Sequence, residues 1–330
     1  MLPIAILIPA RNEEANLEAC LAAACASPAA EICVADDGST DATAAIAARW
    51  AEGDDRVRYL AVPDPPPGWA GKNHALWRAA ATTRQDWLLF LDADTRLLPG
   101  GLERAWRQIE EGSWAALSLS PGQEASGWAE RAVQARIFDL LDGRFPRARV
   151  NDPADACAAA NGQFILIRRA AYFQVGGHAA IAGDWLEDVA LARLIKAAGL
   201  PYRFLDGRDY ARTRMYRNWE ELWAGWGKNF VALFGPLRFT AALPLLLPWA
   251  AVAVGVAGGA TRRPIPVALA AAYLFFEHAR YARRQRRAGR GGAAALLPAN
   301  ALVLALWWAA AGTEGRRWKG RAAPARRAVP

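Results

Sequence analysis

Four short apolar runs in the first third of the chain alternate with longer amphipathic stretches. They are IAILIPA (4–10), EICVADD (31–37), VRYLAV (57–62) and DWLLFLDAD (86–94), with helical patterns over 13–27, 41–52 and 72–83 between and around them. The runs do not alternate apolar with polar, so each predicts a strand buried on both faces, and strand–helix alternation predicts a parallel sheet. Ligands of such sheets bind beyond the carboxyl ends of the strands. Polar residues collect there: Arg11, Asn12 and Glu13 after the first run, Asp36 and Asp37 ending the second, Asp92 and Asp94 ending the fourth. The expected fold class is α/β, a Rossmann-like, mostly parallel sheet flanked by helices. Downstream, GQFILIRR (162–169) reads as a further strand, and a helix over 186–198 ends at Gly199, a good C-terminal cap.

Charge divides the chain unevenly. The total is +8, but residues 239–330 hold 14 Lys/Arg against 2 Asp/Glu, a net of +12, and residues 1–238 carry −4. A mildly acidic front domain with a basic, apolar tail excludes a nucleic-acid footprint over the whole chain and points the tail toward a membrane surface. FTAALPLLLPWAAVAVGVAGG (239–259), PIPVALAAAYLFFEHARY (264–281) and AAALLPANALVLALWWAAAG (293–312) predict about three hydrophobic helices. Arg280, Arg283, Arg284, Arg286, Arg287 and Arg290 form a cluster expected on the cytosolic side, whereas the same three spans put the basic end, Arg316 to Arg327, outside. The expected organisation is a cytosolic domain over 1–237 and a multi-pass membrane region over 238–330, located in the cell (inner) membrane. The first residues have no basic segment ahead of an apolar one, so no signal peptide is expected. Cys20, Cys25, Cys33 and Cys157 lack metal-ligand spacing and read as reduced thiols.

Asp92 and Asp94 carry the strongest chemical signal. In an extended segment residues i and i+2 face the same side, and two carboxylates there repel unless a cation or hydrogen-bond donors compensate them. A hard divalent ion such as Mg2+ or Mn2+ prefers oxygen ligands and bridges carboxylates to phosphates. The plainer alternative is a solvated turn. In VADDGSTDAT (34–43), Gly38 allows a tight turn and Ser39, Thr40 or Asp41 can cap the next helix; a carboxylate at that strand end could equally accept hydrogen bonds from a ribose or a base imide. Glu187 and Asp188 open a helix, where first-turn acids also favour the helix dipole.

IPARNEEANL, VADDGSTDAT, LDADT and GDWLEDVALARLIKAAG (183–199) occur in the order found in family 2 glycosyltransferases of the GT-A type, and the chain resembles that family over roughly residues 3–235. PPGWAGKNHAL (66–76), NGQFILIRRAAYFQVGGH (161–178) and RMYRNWEELWAGWGKNF (214–230) are similar to its membrane-associated subgroup, which includes carotenoid and hopene-associated glycosyltransferases. The resemblance implies an inverting transfer of one sugar from a nucleotide-diphosphate sugar, expected to be a UDP-sugar, to a lipid-like acceptor of carotenoid, hopanoid or polyprenyl type. It implies that Pro9, Ala10, Arg11 and Glu13 line the nucleotide pocket and that Asp37 contacts the nucleoside. Asp94, with Asp92, would hold a divalent metal against the diphosphate, and Lys72 would lie near the phosphates or the acceptor. Asp188, beside Glu187, would be the catalytic base, with Asn161, Gly162, Gln163 and Trp226 on the acceptor side. Such a transfer needs leaving phosphates neutralised by a metal with Lys72 or Arg11, and a base for the acceptor hydroxyl.

The chain departs from processive family members, which carry Gln-x-x-Arg-Trp on an interfacial helix; YRNWEELWAGWGKN has no such Gln. A processive polysaccharide synthase stays as the alternative. DADT also fits the D-x-D-x-T pattern of haloacid-dehalogenase phosphatases, although three strand-like runs precede it here, and a non-catalytic scaffold is a third reading. Trp219, Trp223 and Trp226 fall on one helical face, as packing or as acceptor contact. His74 and His178 read as core or surface residues.

Overall fold

Strand β1 (Leu2–Ala10) buries every side chain from Ile4 to Ile8 completely, so it can only sit in the middle of a sheet covered on both faces. The structure, a computed structural model, describes residues 1–234, 239–287, 295–311, 317–318 and 321–322. It divides into two compact units: unit 1 comprises 1–124, 145–215 and 315–330, and unit 2 comprises 125–144 and 216–314.

Unit 1 is built on an eight-stranded sheet of β1, β2 (Ala29–Asp36), β3 (Val57–Ala61), β4 (Trp87–Leu91), β5 (Thr95–Leu97), β6 (Ala116–Gln123), β7 (Phe164–Arg168) and β8 (Tyr202–Thr213), in the order β3-β2-β1-β4-β7-β6-β8-β5. Side chains alternate between its faces. Ile4, Ile6 and Ile8 pack with α1 (Leu17–Cys25) and α4 (Gly101–Gly112); α2 (Thr43–Gly53) follows β2. Ala5 and Leu7 pack on the opposite side with α3 (Gly71–Thr82), α7 (Arg169–Gln174) and α9 (Glu187–Ala197). Each large aliphatic side chain so buried contributes about 1.5–3 kcal/mol.

The mostly parallel sheet expected from the sequence is a mixed one. β3-β2, β2-β1, β1-β4 and β6-β8 are parallel, while β4-β7, β7-β6 and β8-β5 are antiparallel. The reversal at β7 matters for the site. Leu91, the last residue of β4, pairs with Phe164, the first of β7, so the segment entering β7 meets the segment leaving β4 at one edge.

Unit 2 gathers α5 (Trp128–Arg144), α10 (Trp219–Phe234), α11 (Phe239–Ala260), α12 (Pro264–Arg287) and α13 (Leu296–Ala311); the short α6 (Arg147–Val150) and α8 (Gly177–Ala180) belong to unit 1. The domain boundary expected at 237–238 lies outside the described residues. Pro248 within α11 has no N–H to offer the carbonyl of Pro244 four residues earlier. Arg136 supplies that bond instead, its Nη2 donating to Pro244 O at 3.0 Å, while its Nε donates to Asn300 Oδ1 at 2.7 Å and its Nη1 pairs with Asp139. Arg284 reaches the same carboxylate at 2.6 and 3.0 Å, and Asn300 Nδ2 donates to Leu245 O at 3.2 Å. One buried network thus joins α5, α11, α12 and α13.

Among the described residues one helix, at Ala242–Ala260, is long and apolar enough to cross a membrane, with a mean hydropathy of 1.8. The spans expected at 264–281 and 293–312 are not borne out by length and composition. The first lies in α12, whose C-terminal part carries Glu277, His278 and several arginines. The second contains α13, whose 16 residues rise only about 24 Å against a hydrocarbon core of about 30 Å; residues 293–294 and 312 lie outside the described residues, as do Arg290, Arg316, Arg326 and Arg327. Val256, Ile265, Leu269, Phe275, Phe276 and Trp308 are nevertheless 67–75% exposed.

Arg136→Met should cost about 3–5 kcal/mol, because Asp139 and the Pro244 carbonyl lose a buried partner. Arg49→Gln, which removes an exposed pair with Glu18 (62% and 52% exposed side chains), should stay within about 0.5 kcal/mol. Denaturant unfolding of the detergent-purified chain compares the two, and equal midpoints would deny the network its anchoring role.

Candidate active site

The carboxyl ends of β1, β2 and β4 share one edge of the sheet, and the loops leaving them form the site. After β1 the chain turns sharply, with Asn12 at φ 51°, and binds the loop after β2. Asn12 N donates to Ser39 Oγ at 3.0 Å, Glu13 N to Thr43 Oγ1 at 2.7 Å, and Thr40 N to Asn12 Oδ1 at 2.8 Å. These bonds explain why the helix expected from residue 13 begins at Leu17. They also show what most of VADDGSTDAT does: it fastens two loops together. Asp36 is spent in the same way, accepting from Ser39 N at 2.9 Å and Tyr59 OH at 3.0 Å.

Asp37 differs. It is 1% exposed, Arg11 Nη1 lies 3.6 Å from its Oδ2, and Arg11 also donates to its backbone carbonyl. Its carboxylate rests against the bare Cα of Gly71, where an added Cβ would stand 2.1 Å from Oδ2. Pro9 and Ala10 end β1 beside Ala35 and Asp36, so the predicted Pro9–Arg11 and Asp37 do converge.

Lys72 follows Gly71 on the first turn of α3. Its Nζ lies 2.7 Å from Asp92 Oδ1 and 2.7 Å from Glu187 Oε1. Burial works to raise the Glu187 carboxyl, and the ammonium outweighs it, leaving Glu187 below the ordinary range. Asp92 is raised by burial against the opposing pull of Lys72. Asp92 and Asp94 do not extend β4 as expected. They occupy a turn between β4 and β5, closed by Thr95 N donating to Asp92 O at 2.9 Å. Asp94 Oδ1 accepts from Thr95 Oγ1 and Thr213 Oγ1, both at 3.1 Å. Even so, burial first, then the charges of Asp92 and Glu13, push the Asp94 carboxyl up to about 7.

Asp188 opens α9. Its Oδ2 accepts from Gly162 N at 3.0 Å and its Oδ1 from Val189 N at 2.7 Å. Burial, then the neighbouring Glu187 charge, push it up to about 7 against these donors. Gly162 is tight here, because a Cβ would meet Glu187 Oε1 and Lys72 Nζ at 3.2 Å. Asn161 and Gln163 brace each other, Gln163 N donating to Asn161 Oδ1 at 3.0 Å, and Gln123 Nε2 reaches Gln163 Oε1 at 3.2 Å. Trp226 belongs to unit 2, 3% exposed and packed edge-on to Phe138 at 6.0 Å. His178 is buried against Tyr172 OH at 2.9 Å, its imidazole held neutral by burial, which pushes it down to about 3. His74 stacks edge-on to Trp69 at 5.5 Å.

Three residues that sequence reading passed over prove structural to the site. Thr213 reaches Asp94 across 119 positions, Gly71 makes room for Asp37, and Asn73 Nδ2 donates to the carbonyls of Ile181, Ala182 and Asp184 at 2.8–3.1 Å. Asn73 thereby fixes the loop leading into Glu187 and Asp188. Among the described residues no three His, Cys, Asp or Glu side chains assemble a complete metal cage. Asp92 and Asp94 can give a hard cation part of an oxygen shell, which suits an ion whose other ligands come from phosphates and water. The uncompensated charge on Asp94 fits such an ion.

Residues 5–172 match the glycosyl transferase family 2 profile. A 4,4'-diaponeurosporenoate glycosyltransferase of Staphylococcus aureus is 27% identical over 240 residues, which cover 68% of this chain and 60% of that protein. The chain thus spans 60% of the length of this curated relative. The mannosyltransferase PcManGT from Pyrobaculum calidifontis, solved in complex with GDP-Man and Mn2+, shares the fold with a TM-score of 0.54 at 20% identity, covering 92% of this chain and 87% of that one.

Asn73→Ala should cost about 1–3 kcal/mol by stripping buried carbonyls of their donor. Limited proteolysis should then gain a cleavage within residues 181–186, and an unchanged digest would deny Asn73 its hold on that loop.

Proposed function

The chain belongs to glycosyl transferase family 2, and on that premise we propose that it moves one sugar, with inversion, from a nucleotide-diphosphate sugar to a lipid-like acceptor at a membrane. The observation that carries this reading is Lys72, one cation bridging the acid after β4 to the acid opening α9. It brings a phosphate-compatible charge and a candidate base to one edge of the sheet.

In this reading Arg11, Asp37 and the ends of β1 receive the nucleoside, with Gly71 leaving space beside Asp37. Asp92 and Asp94 would hold a divalent cation, Mg2+ or Mn2+. When bound, that cation neutralises the charge gathering on the departing diphosphate. Lys72 adds a fixed positive charge beside the same phosphates. Asp188 takes the proton of the acceptor hydroxyl as its oxygen bonds to the anomeric carbon and the bond from that carbon to the phosphate oxygen breaks. The Gly162 and Val189 N–H groups hold the carboxylate in place, each occupying one oxygen and leaving a lone pair for that proton. Glu187, tied to Lys72, keeps its charge and so raises the basicity of Asp188.

GDP-Man and Mn2+ in the mannosyltransferase support a nucleotide-diphosphate sugar and a divalent metal, with UDP as an equally admissible nucleotide. The S. aureus relative, whose name states a carotenoid-type acid as acceptor, supports a long apolar acceptor here. The apolar 19-residue stretch Ala242–Ala260 and the exposed aliphatic and aromatic side chains of α11, α12 and α13 support membrane anchoring through unit 2. In this reading α11 enters the bilayer, with unit 1 in the cytosol. The processive alternative lacks its Gln-x-x-Arg-Trp signature, and the phosphatase reading gives way to the family match.

Asp188→Asn should lower kcat by about 10^2–10^4 while the Kd for nucleotide stays within about twofold, as read by calorimetry. The wild-type rate should climb through pH 7, because the base form exists only above its pKa of about 7, and fall about tenfold per pH unit below it. A rate flat from pH 5 to 8 would exclude Asp188 as the base. Chelation should weaken binding of the nucleotide-sugar, and added Mn2+ or Mg2+ should restore it; chelator-insensitive binding would remove the metal from this site.

A further inference from the structure

Helix α12 changes character along its length. Residues 264–276 are uncharged, and Ile265, Leu269, Phe275 and Phe276 among them are 67–71% exposed; from Glu277 onward the helix is charged. Phe276, Ala279, Arg280, Arg283 and Arg284 recur at helical spacing on one stripe, and they line a groove of about 430 Å3. Arg280 pairs with Glu277 at 2.7 Å. Arg284 pairs with Asp139, whose carboxylate Arg136 already shares. Arg283 makes no ion pair among the described residues. Three guanidinium groups therefore line this groove, two of them paired with Glu277 and with Asp139, which Arg136 also neutralises, and the excess is positive.

Depth points the same way as charge. Arg262 and Arg263 close the turn between α11 and α12, and α12 then runs uncharged from Pro264 to Phe276, a rise of about 20 Å, before its first charged residue. Arginines at one end and an exposed apolar wall one turn before match the profile of an amphiphile with an anionic head.

We propose that the groove of Arg280, Arg283 and Arg284 binds the phosphate headgroup of an anionic phospholipid, with Phe276 against the start of its acyl chains. The site extends the membrane reading given above and rests on it. It gives unit 2 a preference for anionic bilayers beyond what apolar burial supplies.

The full-length chain, purified in a neutral detergent, is titrated with dioctanoyl phosphatidylglycerol, dioctanoyl phosphatidylcholine and inorganic phosphate, with binding read by native mass spectrometry and by the shift in Tm. Phosphatidylglycerol should bind at least tenfold more tightly than phosphatidylcholine. Arg283→Gln should lose about fivefold of the phosphatidylglycerol affinity, the worth of one arginine near an anionic lipid surface, with phosphatidylcholine binding and the unliganded Tm unchanged. Equal affinity for the two lipids, full phosphatidylglycerol affinity in the Arg280→Gln/Arg283→Gln double variant, or inorganic phosphate binding as tightly as phosphatidylglycerol would each overturn the proposal while leaving membrane anchoring intact. A chain that binds neither lipid and stays monodisperse after detergent removal would overturn the membrane reading itself.

Discussion

A single ammonium group decides how the acids of this site share their charge. Lys72 touches Asp92 and Glu187 at 2.7 Å each, and so ties the start of α3 to the turn after β4 and to the start of α9. Asp92 and Glu187 each have an acidic neighbour, Asp94 and Asp188. The cation thus serves one member of each pair and leaves the other uncompensated. Both uncompensated carboxyls are pushed up to about 7, by burial first and then by a charged acid beside them. Four carboxylates of ordinary chemistry are thus set apart: Glu187 is held below its usual range by Lys72, Asp92 is raised by burial against the same cation, and Asp94 and Asp188 are raised to about 7.

The N-terminal strands were legible because nothing competes with their pattern. Runs such as IAILIPA and DWLLFL are too short and too uniformly apolar for an exposed helix, and β1 to β4 fall within a few residues of the predicted bounds. Direction was not legible. FILIR carries no mark of whether it runs with or against β4, and only the sheet shows that it enters antiparallel and delivers Asn161 to Gln163 to the edge where Asp92 leaves. The acidic pair was found from local spacing, but its setting was not: Thr213 reaches Asp94 from 119 positions away, and Asn73 holds a loop 108–111 positions away. Such partners leave no periodic trace in the chain. Gly71 left none either, because its purpose is the absence of a side chain beside Asp37.

Unit 2 holds a compensation that counting apolar residues does not register. Run length registers Pro244 and Pro248 as uncharged and therefore neutral, yet Pro248 leaves the Pro244 carbonyl without its helical donor. The compensation comes from α5, more than 100 residues earlier, through Arg136, and Asp139 with Asn300 then balance the guanidinium. An arginine inside an apolar helical unit is costly unless every donor is used. Here three of its nitrogens have acceptors, which turns α5 from a helix of the front domain by sequence into a member of the C-terminal unit by contact.

The charge balance of the site as a whole constrains how a donor would enter it. Asp37 has Arg11 beside it, and Asp92 and Glu187 share Lys72, while Asp94 and Asp188 are raised by the acids next to them. A diphosphate arriving alone would add negative charge where Asp94 already resists ionisation. Asp92 and Asp94 would hold a divalent cation arriving with it, whose charge would favour the ionised form of Asp94 and whose remaining ligands would come from phosphates and water. Asp188, fixed by Gly162 and Val189, is raised to about 7 by burial and by Glu187. In the proposed reading the donor's charge and the acceptor's proton fall to different acids, and Lys72 contacts one member of each pair.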